Sequence, residues 1–145
     1  MSPVDMLNQY RGGFELAIGL TFTRVAPAEI ACEVPVSAQL MQPYGLVHGG
    51  VFASIVETLA SAGAALVAMP RGQTTVGLEN TTSFVRAVRS GTLVAVARPI
   101  HPGRTSQVWE VEIRESGKLV ATGRVRMLCL EPGASIAGET VKVKT

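Results

Sequence analysis

His48-Gly-Gly50 stands directly ahead of a long apolar run. Inside that run lie a carboxylate, Glu57, and a hydroxyl four residues further on, Ser61. A loop-to-helix junction at Gly49 and Gly50 would expose the free N–H groups and partial positive charge of a first helical turn. Such a terminus receives an anion or polarises a carbonyl, and two residues without side chains let a ligand approach closely. A glycine-rich turn that only caps a helix would look the same. The carboxylate is harder to explain, because an ionised group in an apolar helix is costly unless paired or hydrogen-bonded. Glu57 lies nine positions after His48, about 13 Å of helical rise. Glu57 is therefore not at the same end of the helix as the amides. If Glu57 is functional, its partner surface extends along the helix, from this chain or from another subunit. Ser61 shares the helical face of Glu57 and is within reach of its carboxylate or of a water on it. A partly exposed glutamate at a helix edge would read identically.

The elements that must carry these groups follow from pattern. Gly50–Met69 is the one long helical candidate: Phe52, Val56, Leu59, Gly63 and Leu66 recur at three- and four-residue steps, and Pro70-Arg-Gly ends it. A short helix is expected over Pro3–Gln9, broken by Gly12-Gly13. Glu15–Arg24 and Glu29–Val36 read as a strand hairpin, and Ser37–Val47 as a loop. Beyond the helix, Thr74–Val88, Thr92–Ile100, Ser106–Arg114 and Lys118–Leu130 read as strands. Ser90-Gly91, Pro102-Gly103 and Ser116-Gly117 separate them. The expected organisation is an N-terminal segment over residues 1–13, one domain over 14–130, and a mobile tail over 131–145. The class is α+β, a curved antiparallel sheet wrapped round a central helix. One helix cannot cover both faces of six strands, so self-association is expected.

Composition narrows the function. The chain has 145 residues, 47% hydrophobic and 17% charged, enough for one ordinary core. A net charge of +2 is too weak to argue for nucleic acid, and any positive field must come from local placement of arginines. The run over residues 51–69 is interrupted by Glu57, which argues against a membrane span. MSPVDMLNQY lacks the pattern of a signal peptide, so a soluble cytoplasmic protein is the default. Cys32 and Cys129 form no ligand cluster and read as buried thiols.

Gln42-Pro-Tyr-Gly45-Leu-Val-His48-Gly-Gly, followed in register by Glu57 and Ser61, resembles the active-site segment of hotdog-fold thioesterases. The resemblance is to the branch with a glutamate on the central helix, which includes one type of 4-hydroxybenzoyl-CoA thioesterase and the proofreading thioesterase of enterobactin biosynthesis. Val76-Gly-Leu-Glu79, Arg86, His101-Pro-Gly103 and Gln107-Val-Trp109 fit the same pattern. Phe84-Val-Arg86 is similar to the Phe-x-Arg-Pro element of the wider family, with Ala87 in place of the proline. The likeness runs from about residue 14 to 130.

The resemblance implies roles. The Gly49 N–H would polarise the thioester carbonyl, with Gln42 and His48 beside it. Gln42 would orient the attacking water or the acyl group, and His48 would hydrogen-bond the thioester or the leaving thiolate, unless it only ties loop to helix. Glu57 would attack the thioester or activate water, supported by Ser61, and would reach the active site across a dimer. Arg86, Gly103, Arg104 and Thr105 fall where relatives bind coenzyme A, and Ser83 where they line the acyl pocket. Arg86 and Arg89 could equally be solvated charges, while Trp109 and Phe84 read as core. The implied substrate is an acyl-CoA or an acyl-carrier protein with an aromatic or medium-chain acyl group. The implied assembly is a homotetramer built as a dimer of dimers, with no cofactor, metal, nucleic acid or membrane. A hotdog dehydratase or hydratase is the rival enzyme, but the His-Phe-Pro and Asx-Pro-x-His motifs are missing. A non-catalytic acyl-CoA binder would not need Gln42, Glu57 and Ser61 together.

Overall fold

In the computed structural model, which describes residues 1–143, a twenty-residue helix α3 (Gly49–Ala68) lies against a six-stranded antiparallel sheet. The strands are β1 (Thr21–Ala26), β2 (Glu29–Pro35), β3 (Thr74–Phe84), β4 (Thr92–Pro102), β5 (Ser106–Glu115) and β6 (Lys118–Leu130), in the order β1-β2-β4-β5-β6-β3. Helix α1 (Pro3–Gln9) packs beside β1, tied to it by Asn8, which both donates to and accepts from the Phe22 backbone. The wrapped helix and the expected strands are all present, with shifted ends.

The core is the inward face of α3 and the alternate residues of the sheet. Phe52, Ile55, Val56, Leu59, Ala60, Gly63 and Ala64 are buried from the helix, and Leu93, Ala95, Trp109, Val111, Ile113, Val125 and Met127 from the strands. Gly63 explains how the sheet comes so close: a Cβ there would stand 2.5 Å from the Trp109 ring. Trp109 is 1% exposed, and its Nε1–H donates to Gln107 Oε1 at 2.8 Å. Gln107 Nε2 donates in turn to the Ala64 carbonyl at 3.1 Å, so this buried amide is partnered at both ends. By length and mean hydropathy (1.8) the segment Gly49–Arg71 would suffice to cross a membrane, but its inward face is spent on this core.

Two of the expected elements need correction. Glu15–Arg24 is not one strand: α2 (Gly13–Ile18) is a helix with Gly12 as its N-cap, ended by Gly19 in the left-handed region at φ 74°. Leu16 and Ala17 are better helix formers than their apolar run suggests for a strand, and the Gly12-Gly13 pair opens a helix as well as breaking one. β3 stops at Phe84, not Val88, because the chain leaves β6 there. Val85 and Arg86 both donate to the single carbonyl of Val120, and Val88 gives its carbonyl to Val47 in the loop before α3. Within the expected tail, β7 (Ser135–Ile136) and β8 (Glu139–Thr140) pair as a short hairpin.

Candidate active site

The loop before α3 is built to present the helix terminus. Met41 and Val47 form a bridge that closes the turn, Gln42 N–H donates to Leu46 O at 2.7 Å, and Gln42 Oε1 accepts from the Tyr44 N–H. His48 is the N-cap: its Nδ1 accepts the Gly50 N–H at 2.8 Å. An accepting Nδ1 leaves Nε2 as the proton-bearing nitrogen of the neutral ring, a donor facing away from the helix. Capping therefore uses Nδ1 alone and leaves Nε2 open to another partner. Among the described residues, no acceptor takes the Gly49 N–H. A Cβ at Gly49 would meet the Phe84 ring at 2.6 Å, so this position is closed to any larger residue while that ring stays in place. Gln42, Gly49, Phe84 and Arg86 line one cleft of about 300 Å³. Phe84 is 58% exposed and lies over the site, so it is not the core residue expected of it.

Glu57 is half-buried in the middle of α3. Its Oε2 accepts from Asn80 Nδ2 at 3.0 Å, and Ser61 Oγ donates to Oε1 at 3.4 Å. Gly77 makes room for it, since a Cβ there would fall 2.4 Å from Oε1. The carboxylate opens into a groove of about 810 Å³ between α3 and the N-terminal helices, shared with Ser61, Asn80, Tyr10, Phe14 and Ala62. Asn80 is the residue that the sequence reading passed over. Its contact with Glu57 crosses 23 positions and depends on strand register, which no local spacing displays.

Within one chain these groups do not meet. Gly49 and Glu57 are eight positions apart on a straight helix, about 12 Å of rise. The cleft holding Gln42, Gly49 and Arg86 is separate from the groove holding Glu57 and Ser61. Ser83 is exposed near the end of β3. Gly103, Arg104 and Thr105 form the β4–β5 connection at the opposite end of the sheet, where Gly103 O accepts from Arg71, Arg104 O from Gln73, and Thr105 O from the Cys129 N–H. Measured along β6, the Val120 and Cys129 contacts of these two regions are nine residues apart, about 30 Å. One chain therefore cannot close Arg86 and Arg104 on one nucleotide.

Other nucleophiles fall away. Burial pushes the Cys32 thiol up to about 12, with Glu33 adding to the shift, so it is protonated and inert at neutral pH. Cys129 is also buried and free. Among the described residues, no three His, Cys, Asp or Glu side chains gather as metal ligands.

The family model of the thioesterase superfamily matches residues 44–122, a span that holds His48, Gly49, Glu57, Ser61, Asn80 and Arg86 but not Gln42. Proofreading thioesterase EntH of Cronobacter sakazakii is 38% identical over 109 residues, covering 74% of this chain and 79% of the relative. The crystal structure of thioesterase HI1161 from Haemophilus influenzae is similar with a TM-score of 0.84 and 32% identity, over 90% of this chain and 92% of that one. A mutant of thioesterase PA1618 from Pseudomonas aeruginosa gives a TM-score of 0.84 at 30% identity, over 90% and 95% of the two chains.

Proposed function

This chain belongs to the thioesterase superfamily and has the hotdog fold, and from that premise we propose that it hydrolyses the thioester of an acyl-CoA or an acyl-carrier protein carrying an aromatic or medium-chain acyl group. The observation that carries this reading is the half-buried Glu57 carboxylate, opening into a groove whose exposed lining is mostly apolar. A thioester carbonyl needs two things from a protein: a preorganised donor where negative charge develops, and a carboxylate to attack it or to activate water. The unpaired Gly49 N–H is the donor and Glu57 is the carboxylate. In either route water ends up on the acyl carbon and the carbon–sulfur bond breaks; the leaving thiolate accepts a hydrogen bond from His48 Nε2–H and takes up the proton that the attacking water gives up. Gln42 and Ser61 orient water and carboxylate.

The two halves of this machinery are brought together by a dimer. β3 is an edge strand eleven residues long, and its exposed Leu78 and Phe84, with Val85 just beyond, leave an apolar edge uncovered. Such an edge is a template for pairing with another chain. Antiparallel pairing of two β3 strands about their middle sets the two α3 helices antiparallel. Gly49 of the partner subunit then approaches Glu57, and Arg86 of the partner subunit comes to the end of the sheet that holds Gly103, Arg104 and Thr105. Two arginines that are far apart in one chain become neighbours across the pair and suit the phosphates of coenzyme A. Two such dimers form a homotetramer in the cytoplasm.

Thiol release from a panel of acyl-CoAs tests the reading directly. Wild type should release free thiol and Glu57→Gln should release almost none. A wild-type protein that binds acyl-CoA without releasing thiol would make it a binding protein instead.

A further inference from the structure

β3 faces α3 with a residue that packing does not call for. Asn80 pairs in register with Val125, so its side chain is on the helix side of the sheet, yet at this edge strand it stays exposed to the groove that holds Glu57. Each of its polar atoms is engaged. Nδ2 donates to the Ala53 carbonyl at 3.1 Å and to Glu57 Oε2 at 3.0 Å, while Oδ1 accepts from Thr82 Oγ1 at 2.7 Å. The orientation of the amide follows from its partners: a main-chain carbonyl and an ionised carboxylate only accept, so the NH₂ group must face them. Thr82 then supplies the one donor the amide oxygen needs. On the other flank, only a glycine at position 77 leaves room for Oε1.

Resting on the reading of Glu57 as the catalytic carboxylate, we propose that Asn80 is its positioning residue, a fixed amide on β3 that holds Oε2 and so aims the carboxylate. The chain of contacts runs Thr82 to Asn80 to Glu57, from strand to helix, and it makes the bulge in β3 between Gly77 and Glu79 part of the site. Few charges compete with it. Tyr10, Arg11 and Glu15 share the groove from the N-terminal side. Arg11 is held by the carbonyls of Asn8 and Leu20, at 2.9 and 2.7 Å. Glu79, the neighbour of Asn80, faces Arg126 at 3.8 Å on the outer side of the sheet.

The test is a cycle of variants read by kcat, KM and pH profile. Asn80→Ala should lower kcat about ten- to a hundredfold with KM within about twofold, since a donor to a charged group is lost and substrate contacts are not. Asn80→Asp should move the acid limb of kcat upward by about one pH unit or more, because a second negative charge beside Glu57 resists its ionisation. In a Glu57→Gln background, Asn80→Ala should add no further loss. Thr82→Val, which removes only the hydroxyl that turns the amide, should give a smaller loss of kcat at unchanged melting temperature, and it remains informative if Asn80→Ala does not fold. If Glu57→Gln keeps near wild-type kcat, the reading of Glu57 fails and the inference with it. If Glu57→Gln is inactive while the Asn80 and Thr82 variants keep wild-type kcat and acid limb, the catalytic reading stands and the positioning role is overturned.

Discussion

At the scale of the residue, the cap that His48 makes and the catalytic task proposed for it are separable. Its Nδ1 caps α3 through the Gly50 N–H, and its Nε2–H is free to face a leaving thiolate. An N-cap side chain is worth about 1 kcal/mol, and asparagine caps well. His48→Ala should therefore lower both melting temperature and kcat, whereas His48→Asn should keep the melting temperature and still lose activity. Equal activity in His48→Asn and wild type would leave His48 as a cap only. Gly49 is open to a similar separation. The Cβ of an alanine there would strike an exposed ring and not backbone, because its nearest neighbour is Phe84 at 2.6 Å. Gly49→Ala should cost at least about tenfold in kcat by crowding the approach to the amide. Adding Phe84→Ala should restore part of that loss. Steady-state thiol release decides it, and a double variant no better than Gly49→Ala alone means the clash is elsewhere.

At the scale of the element, α3 and the long strands were legible because their periods differ. Phe52, Val56, Leu59 and Gly63 recur at helical steps, while β5 alternates Gln107, Trp109, Val111 and Ile113 inward. Misread elements are those where composition and period disagree, as in α2, or where tertiary bonds take over, as after Phe84, where two amides share the carbonyl of Val120. Glu57 stood out as a charge in an apolar run. Asn80 did not, since its meaning lies in facing Glu57 across the β3 register, and the bulge at Leu78 breaks the simple alternation that would have placed it. The buried Gln107 is likewise explained only by its partners. Gln107→Ala should destabilise by about 1–3 kcal/mol, leaving the Trp109 N–H unpaired inside the core, with kcat little changed. Thermal melts beside kinetics check this, and an unchanged melting temperature would mean that water replaces the amide.

At the scale of the whole molecule, the question is whether one chain holds an active site. Gly49 and Glu57 are held apart on one rigid helix, in separate clefts, and Arg86 and Arg104 are at opposite ends of one sheet. No side-chain motion bridges such distances, whereas the antiparallel β3 pairing proposed above would do so without bending any element. The arginines give one measure of it. Arg86→Ala and Arg104→Ala should each raise the KM for acyl-CoA about tenfold while leaving kcat nearly unchanged. The same substitutions should leave the KM for an acyl-N-acetylcysteamine thioester unmoved, because it lacks the nucleotide. Complementation gives the other. In a dimer of one Glu57→Ala subunit and one His48→Ala subunit, one composite site carries both lesions and the other carries neither. Random pairing of equal amounts makes about half the dimers mixed, so about a quarter of wild-type activity should return after the two inactive proteins are unfolded and refolded together. A site contained in one chain has no route to that recovery. Refolded mixtures that stay as inactive as their components, while wild type recovers under the same treatment, would remove the shared site. Glu57 and Gly49 would then have to serve different ligands.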